Sequence, residues 1–233
     1  MIGSKIYCFD KIDSTNEYIK KHLSELNNGD IVFAQEQTNG RGRHGNIWIS
    51  PIGNLYFSFY LKEELLHNQL FYYLMKSSIA VINTLKKYNI NAKIKYPNDI
   101  IIDRKKIAGI LIESNGYQKI EYLIIGIGIN INETIFRDLK YNAISFKNLL
   151  EKEVDPKDVL NLFIQSYNEL NEDSRIYELY MKNLNLYQKR VKYMDKIYEV
   201  HHILKNGKIL LKNNKNTVLV DYNKLSFSEI YDK

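Results

Sequence analysis

The sequence has 233 residues, of which 45% are hydrophobic and 26% are charged, a balance typical of a globular protein. This length predicts one larger domain with a small appended domain. No apolar run approaches the roughly 20 residues that a helix needs to cross a bilayer, and we find no apolar segment of a signal peptide. Cys8 is the only cysteine, which excludes an internal disulfide, and we expect a cytoplasmic protein.

The net charge of +6 raises the question of a nucleic-acid partner. The lysines are dispersed along the chain, however, and do not form a stripe. We therefore expect neither a nucleic-acid partner nor a membrane partner, and we take the charge as a general attraction for acidic partners.

The first part of the chain predicts strands that alternate with helices. A capping-box pattern from Ser14 to Glu17 predicts a helix that continues to about Ser24, and a second helix is predicted at Gln69–Tyr88. Short apolar or alternating runs predict strands at Lys5–Phe9, Ile31–Gln35, Leu55–Leu61, Lys93–Tyr96, Ile100–Asp103, Ile107–Glu113 and Ile120–Ile125.

The last part of the chain changes from helices to short strands. Asp155 and Pro156 have the residue types of an N-cap and a first helical position, and a further helix is predicted at Arg175–Tyr187. Asn206–Gly207 indicates a tight hairpin turn. The pattern predicts a small antiparallel barrel with strands at Val191–Met194, Ile197–Leu204, Lys208–Leu211 and Thr217–Tyr222.

The segment Thr38–Trp48, TNGRGRHGNIW, combines three glycines with two arginines between two predicted strands. Glycine lets backbone N–H groups approach a ligand closely, and arginine offers a fork of donors to carboxylate or phosphate. The segment predicts an anion-binding loop, although on its own it would also suit an exposed turn.

Three further blocks accompany this loop in a fixed order. They are Asp13–Asn16 (DSTN), Lys95–Glu113 (KYPNDIIIDRKKIAGILIE) and Gly126–Asn130 (GIGIN). Together the four blocks resemble those of biotin–protein ligases (biotin–[acetyl-CoA-carboxylase] ligases), from about Lys5 to Asn132. The resemblance implies an α+β fold whose mixed, largely antiparallel central sheet has flanking helices, as in class II synthetase-like biotin ligases. It also implies a catalytic domain at 1–187 and an SH3-like barrel domain at 188–233.

The resemblance implies an ATP- and Mg²⁺-dependent enzyme. Such an enzyme activates biotin as biotinyl-5′-AMP and transfers it to a lysine of a biotin carboxyl carrier protein, an acetyl-CoA carboxylase subunit. The chain resembles the short, monofunctional class without a DNA-binding domain, whose members are monomers or homodimers. The sequence identifies no metal ligands.

By the same resemblance, Lys106, Arg43 and Arg41 carry the catalysis. Biotin would contact residues of all the early blocks, namely Ser14, Thr15, Asn16, Gln37, Gly40, Arg41, Gly42, Arg43, Lys106 and Gly109. ATP or the adenylate would contact Arg43, Trp48, Asn98, Lys106 and Asn130. Asp99 belongs to the same motif, and a structural role suits it equally well.

Two positions depart from the family pattern, because His44 and Asn46 stand where relatives often have arginine. Two other functions stay open. A lipoate–protein ligase or octanoyltransferase would share the fold, but its glycine motif takes another form. A non-catalytic biotin-sensing protein would not need the intact set of Arg41, Arg43 and Lys106.

Overall fold

A seven-stranded sheet forms the centre of the fold. The structure is a computed structural model, and it describes residues 1–66, 69–116, 119–136, 142–171, 173–185, 190–221 and 230–231. Within these residues, no helix is both long and apolar enough to cross a membrane.

The elements are numbered in chain order. Strands β1 to β7 are Ile6–Ile12, Ile31–Gln37, Leu55–Leu66, Lys93–Lys95, Asp99–Ile102, Lys105–Ser114 and Lys119–Ile129. Helices α1 to α5 are Thr15–Lys21, Leu70–Lys86, Phe146–Leu150, Pro156–Asn168 and Asp173–Asn183. Strands β8 to β12 are Arg190–Tyr193, Lys196–Ile203, Ile209–Lys212, Thr217–Val220 and Ile230–Tyr231.

The central sheet is mixed, which confirms the predicted sheet with flanking helices. Its strand order is β1-β2-β3-β7-β6-β5-β4, in which β1 and β2 are parallel and every other pair is antiparallel. The two longest strands, β3 and β7, pair at the centre, where Phe57 lies opposite Ile127 and Ser58 opposite Gly126. Successive residues of a strand point to opposite faces, so each of these strands contributes to two different environments.

One face of this sheet carries the main hydrophobic core. Phe57 and Phe59 of β3 are fully buried in it, together with isoleucines of β7 and residues of α2, α4 and α5. Aromatic contacts join the layers, because the rings of Phe57 and Phe163 lie 4.9 Å apart and those of Phe59 and Tyr167 lie 5.0 Å apart. This face therefore anchors the sheet.

The opposite face is only partly covered by a helix. There α1 packs through Ile19 on a small cluster that includes Val32, Tyr60 and Ile124. The next residues on this face of β3 and β7 are small, with Ser58 opposite Gly126. Small side chains leave space above the sheet, and a cleft occupies it.

The predicted capping box at Ser14 is wrong, although Ser14 is the N-cap of α1. Its side chain makes no capping hydrogen bond, and the helix ends at Lys21 rather than near Ser24. A capping box does occur at α3, where Ser145 and Asn148 each bond the other's backbone N–H. The predicted cap of α4 is confirmed, because the side chain of Asp155 accepts a hydrogen bond from the backbone of Lys157 at 2.9 Å.

The last strands form a second, antiparallel sheet in the order β11-β10-β9-β8-β12. The predicted hairpin is confirmed, and Gly207 turns the chain there with φ +81°. The sheet contacts the rest of the protein, since Tyr96 donates to the Gly207 carbonyl and Tyr177 to the Ile203 carbonyl. The predicted helix to Tyr187 and the predicted strand to Tyr222 are too long, because α5 ends at Asn183 and β11 ends at Val220. Residues 186–187, Tyr222 and the predicted domain boundary at 187–188 lie outside the described residues.

Asn54, just before β3, holds the chain that follows β7. Its buried Oδ1 accepts three backbone hydrogen bonds, from Ile131 at 2.7 Å and from Asn132 and Glu133 at 3.2 Å each. Its Nδ2 donates to the Tyr56 hydroxyl at 3.1 Å. Burial raises the pKa of Tyr56 well above its usual range, so this hydroxyl stays protonated.

We predict that Asn54→Ala lowers the free energy of unfolding by about 3 kcal/mol, because the backbone N–H groups of Ile131 and Glu133 lose their acceptor, whereas that of Asn132 keeps the Gly53 carbonyl at 3.1 Å. Urea denaturation followed by circular dichroism measures this loss. Tyr56→Phe is the matched control, since it spares the three N–H groups and should cost about 1 kcal/mol. Equal losses in the two variants would contradict the role of the Asn54 oxygen.

Candidate functional site

A solvent-open cleft lies on the α1 face of the central sheet. The start of α1, the end of β2, the glycine–arginine loop and strands β6 and β7 all contribute to its walls. The lining consists of Ser14, Thr15, Asn16, Gln37, Arg41, Gly42, Arg43, Trp48, Asn98, Lys106, Gly109, Ile110, Leu111, Gly126, Ile127 and Gly128.

Glycines form the floor of the cleft and let other side chains lie directly on the sheet. Gly109 of β6 pairs with Gly128 of β7, and the indole of Trp48 lies across both. A Cβ atom at Gly128 would lie 2.5 Å from Trp48 Cε2, and one at Gly109 would lie 2.8 Å from Cζ3. Gly126 admits the Asn16 amide in the same way. Only glycine fits these three places without displacing a neighbour.

Trp48 is nine-tenths buried, so it packs as part of the floor rather than as an exposed surface residue. Among the described residues, nothing accepts a hydrogen bond from its Nε1. A buried donor without an acceptor is costly, so an acceptor group on a ligand would be stabilised there.

Lys106 brings a positive charge into the cleft. Its Nζ lies 2.7 Å from Asp99 Oδ1 and 4.8 Å from the centre of the Trp48 ring, and only 14% of its side chain is exposed. Asn130 holds the backbone here, because its Nδ2 donates at 3.2 Å to the carbonyls of Lys106 and Ile144. Lys106 thus has a fixed position and a charged partner beside it.

The glycine–arginine loop is a folded hairpin rather than a loose turn. Gly42 N donates to the Asn46 carbonyl at 2.7 Å, and Trp48 N donates to the Gly40 carbonyl at 2.9 Å. A short 3-10 turn at Arg43–Gly45 closes the hairpin, with His44 in the left-handed region at φ 56°.

The two arginines of this loop are oriented by different elements. Arg41 forms a salt bridge of 2.8 Å with Glu17 of α1. Arg43 donates at 3.0 Å to Asn98 Oδ1, and Asn98 in turn donates at 2.8 Å to the Ile110 carbonyl of β6. Both guanidinium groups line the cleft and can bind a carboxylate or a phosphate.

A polar cluster at the start of α1 forms another wall. Gln37 Oε1 accepts from the Thr15 backbone N–H at 2.9 Å, and Gln37 Nε2 donates to Ser50 Oγ at 3.0 Å. The Thr15 and Ser58 hydroxyls lie 2.6 Å apart. This wall offers hydroxyl and amide groups, which suit a ligand that both donates and accepts hydrogen bonds.

The structure brings most of the sequence-predicted residues into one cleft. Eleven of them line it, namely Ser14, Thr15, Asn16, Gln37, Arg41, Gly42, Arg43, Trp48, Asn98, Lys106 and Gly109. Three others, Gly40, Asp99 and Asn130, lie behind the lining and support it through the contacts described above. Within the described residues, no group of three or more His, Cys, Asp or Glu side chains could hold a metal ion.

Sequence reasoning assigned no role to several residues of the site. The lining also includes Ile110, Leu111, Gly126, Ile127 and Gly128, and Ser58 and Glu113 bond the residues of the polar wall. Two glycines within an apolar strand are a signal for close backbone approach, so Gly126 and Gly128 were accessible to prediction.

Comparisons with known proteins agree on one family. Residues 8–130 match the Biotin/lipoate A/B protein ligase family. The chain is 35% identical over 132 residues to the bifunctional ligase/repressor BirA of Escherichia coli (strain K12), a match that covers 55% of this chain and 41% of that protein. It is 34% identical over 155 residues to the biotin–protein ligase of Schizosaccharomyces pombe, covering 56% of this chain and 24% of that protein. The chain thus spans less than half the length of these curated relatives.

A solved structure agrees over nearly the whole chain. The biotin protein ligase from Aquifex aeolicus in complex with biotin and ATP superposes with a TM-score of 0.78 at 25% identity. The superposition covers 94% of this chain and 96% of that one.

We predict that Gly128→Ala displaces Trp48, because the added Cβ would meet the indole at 2.5 Å. Overpacking of this kind costs roughly 1–3 kcal/mol. Trp48 is the only tryptophan, so fluorescence excited at wavelengths that the 19 tyrosines do not absorb reports on it alone and should shift to longer wavelength. Gly42→Ala is the control, since its Cβ would have 3.4 Å to the nearest atom, and it should leave the spectrum unchanged. An unshifted spectrum in Gly128→Ala would count against this packing.

Proposed function

The chain belongs to the Biotin/lipoate A/B protein ligase family, and on that premise we propose that it is an ATP-dependent biotin–protein ligase. It would activate biotin as biotinyl-5′-AMP and transfer the biotinyl group to a lysine of a biotin carboxyl carrier protein. One observation carries the proposal: two arginines and a lysine meet a polar hydrogen-bonding wall in a single cleft.

The chemistry requires two anions to react. A carboxylate oxygen of biotin attacks the α-phosphorus of ATP, the bond to the β-phosphate oxygen breaks, and pyrophosphate leaves. The amine of the carrier lysine then attacks the acyl carbon, and AMP leaves with the bonding electrons. Both steps depend on holding the reactants together and neutralising their charge.

Arg43 and Lys106 have the chemistry to hold the biotin carboxylate and the α-phosphate. Arg43 supplies a planar pair of donors, whereas Lys106 supplies a compact charge on a strand. Asp99 lies against Lys106 and fixes its ammonium at 2.7 Å. Mg²⁺ would arrive with ATP and neutralise its phosphates, because protein sites for Mg²⁺ bind it largely through the substrate's phosphates.

The other predicted residues divide between the two substrates. Ser14, Thr15, Asn16 and Gln37 suit the ureido ring of biotin, and Gly40, Arg41, Gly42 and the Gly109 backbone would line the rest of it. Trp48, Asn98 and Asn130 are proposed for the adenine end, Asn130 indirectly through the carbonyls that it holds.

The finer architecture belongs to the same proposal. Residues 1–187 would be a catalytic domain with the class II synthetase-like fold, and residues 188–233 an SH3-like barrel. A carrier domain from acetyl-CoA carboxylase would be the protein partner in the cytoplasm, with the ligase acting as a monomer or a homodimer.

The decisive experiment compares two acids. With ATP and Mg²⁺, biotin should release pyrophosphate and give an adenylate, whereas lipoate should not. Labelled biotin should then become attached to an isolated biotin carboxyl carrier domain. Pyrophosphate release with lipoate but not with biotin would favour the lipoate-ligase function. Biotin binding without pyrophosphate release would favour a biotin-sensing protein.

We predict that Lys106→Ala slows adenylate formation by about two to three orders of magnitude, the usual effect of losing one preorganised electrostatic group. A pyrophosphate-release assay measures the rate. The matched control is Lys105→Ala, one residue earlier at the exposed start of β6, which should keep the wild-type rate. Equal rates in the two variants would remove Lys106 from the catalytic site.

A further inference from the structure

Glu113 of β6 joins two chains of contacts behind the polar wall. Its Oε2 accepts a hydrogen bond from Asn16 Nδ2 at 2.6 Å, and its Oε1 accepts one from Lys20 Nζ at 2.7 Å. Its side chain is 25% exposed, and it is not part of the cleft lining. Any effect of Glu113 on a ligand therefore acts through the residues that it bonds.

The ammonium of Lys20 forms an ion pair with Glu113. Lys20 lies between Glu113 and Glu17, at 2.7 Å and 2.8 Å. Burial lowers the pKa of Lys20, but the hydrogen bonds to both carboxylates outweigh it and raise that pKa above its usual value. Lys20 therefore occupies one oxygen of Glu113, and the other oxygen is left for Asn16.

An ionised carboxylate fixes the direction of the next hydrogen bonds. It can only accept, so the amide nitrogen of Asn16 must face Glu113 and the amide oxygen must face Ser58. Ser58 is fully buried, and it donates its single hydroxyl proton to that oxygen.

The lining residue Thr15 is the next member of this hydrogen-bonded chain. Its hydroxyl lies 2.6 Å from Ser58 Oγ, and because the Ser58 proton is already used, Thr15 must be the donor. That leaves no proton for the longer contact of 3.2 Å with Gln37 Oε1, which accepts the Thr15 backbone N–H at 2.9 Å instead. The Thr15 oxygen therefore keeps only acceptor capacity.

We propose that Glu113 is a positioning residue that makes the Thr15 hydroxyl a hydrogen-bond acceptor and so selects a ligand with an N–H group at this place. The inference rests on the proposed function, because the ureido ring of biotin offers N–H groups. The path runs from Glu113 through Asn16 and Ser58 to Thr15, and each link follows from the one before.

The test uses ligands that differ by one N–H. Two cyclic carbamate analogues of biotin, each with an oxygen in place of one ureido N–H, are compared with biotin for KM in pyrophosphate release. The wild-type protein should prefer biotin over one isomer by about tenfold, the value of one hydrogen bond. Glu113→Gln should reduce this preference to about threefold or less while leaving the KM for ATP unchanged.

The Lys20 ammonium can only donate, so an amide at position 113 places its oxygen toward Lys20 and its nitrogen toward Asn16. That nitrogen then bonds the oxygen of Asn16, whose own nitrogen donates to Ser58, and Ser58 can donate to Thr15. The Thr15 proton is released, and this hydroxyl no longer discriminates against an oxygen.

Two further variants distinguish an effect of hydrogen-bond direction from a general structural role of Glu113. Lys20→Met keeps the contact between Asn16 and Glu113 and should retain the wild-type preference. The Asn16→Asp/Glu113→Gln double variant exchanges acid and amide, so a carboxylate at position 16 again accepts from Ser58. It should restore the preference for biotin, a rescue that a merely structural role of Glu113 does not predict.

The outcomes distinguish this inference from the proposed function. A wild-type protein that makes no adenylate from biotin refutes the function itself. A wild-type protein that does, together with an unchanged preference in folded Glu113→Gln, refutes only the role of Glu113. If Glu113→Gln does not fold, the double variant decides, since a preference of threefold or less there refutes the role and a restored one supports it.

Discussion

The cleft depends on one steric constraint, the direct contact of side chains with bare sheet backbone. At Gly109, Gly126 and Gly128 a Cβ atom would collide with Trp48 or Asn16. Because those contacts exist, the indole lies flat on the pair of β6 and β7, and Lys106 is held above it. The glycines thus determine how deep the cleft is. They also determine where Trp48 lies, and Lys106 is positioned over its ring.

The cations of the cleft already have partners in the protein. Lys106 contacts Asp99, Arg41 contacts Glu17, and Arg43 contacts Asn98, all at 3.0 Å or less. These partners hold the cationic side chains close together before a ligand binds. Because the side chains are already in position, they need little reorganisation when the ligand binds.

The pairing of these cations also sets a condition on the ligand. An anion must compete with Asp99 and Glu17 for the same donors, so a weakly charged ligand gains little binding free energy. A phosphate together with a carboxylate gains more, which agrees with the proposed site for two reacting anions.

The sequence predicts those structural features that have a local physical cause. The sheet with its flanking helices, the α4 cap at Asp155 and the hairpin at Gly207 follow from periodicity, capping and turn chemistry within a few residues. The helix α3 has only five residues, too few for a periodic apolar pattern, and no pattern predicted it. The cleft residues were located through four motifs rather than through periodicity.

A local pattern predicts wrongly where other residues bind the group that the pattern requires. The capping pattern at Ser14 requires Glu17 to fold back on the N-cap, but Lys20 and Arg41 take that carboxylate. In the same way, Asn16 contacts Ser58 and Glu113, which lie 42 and 97 residues away in the sequence. Such contacts depend on the register of strands, and no local pattern encodes it.

The alternation of β3 and β7 separates the demands of folding from those of the site. The side chains of Phe57 and Ile127 pack in the main core, whereas Ser58 and Gly126 lie on the side of the sheet that carries the cleft. A substitution at the first set disturbs core packing, while one at the second set changes the shape or the hydrogen bonding of the cleft. Since one strand serves both faces, the packed aromatic core directly supports the floor of the cleft, on which Trp48 and Asn16 lie.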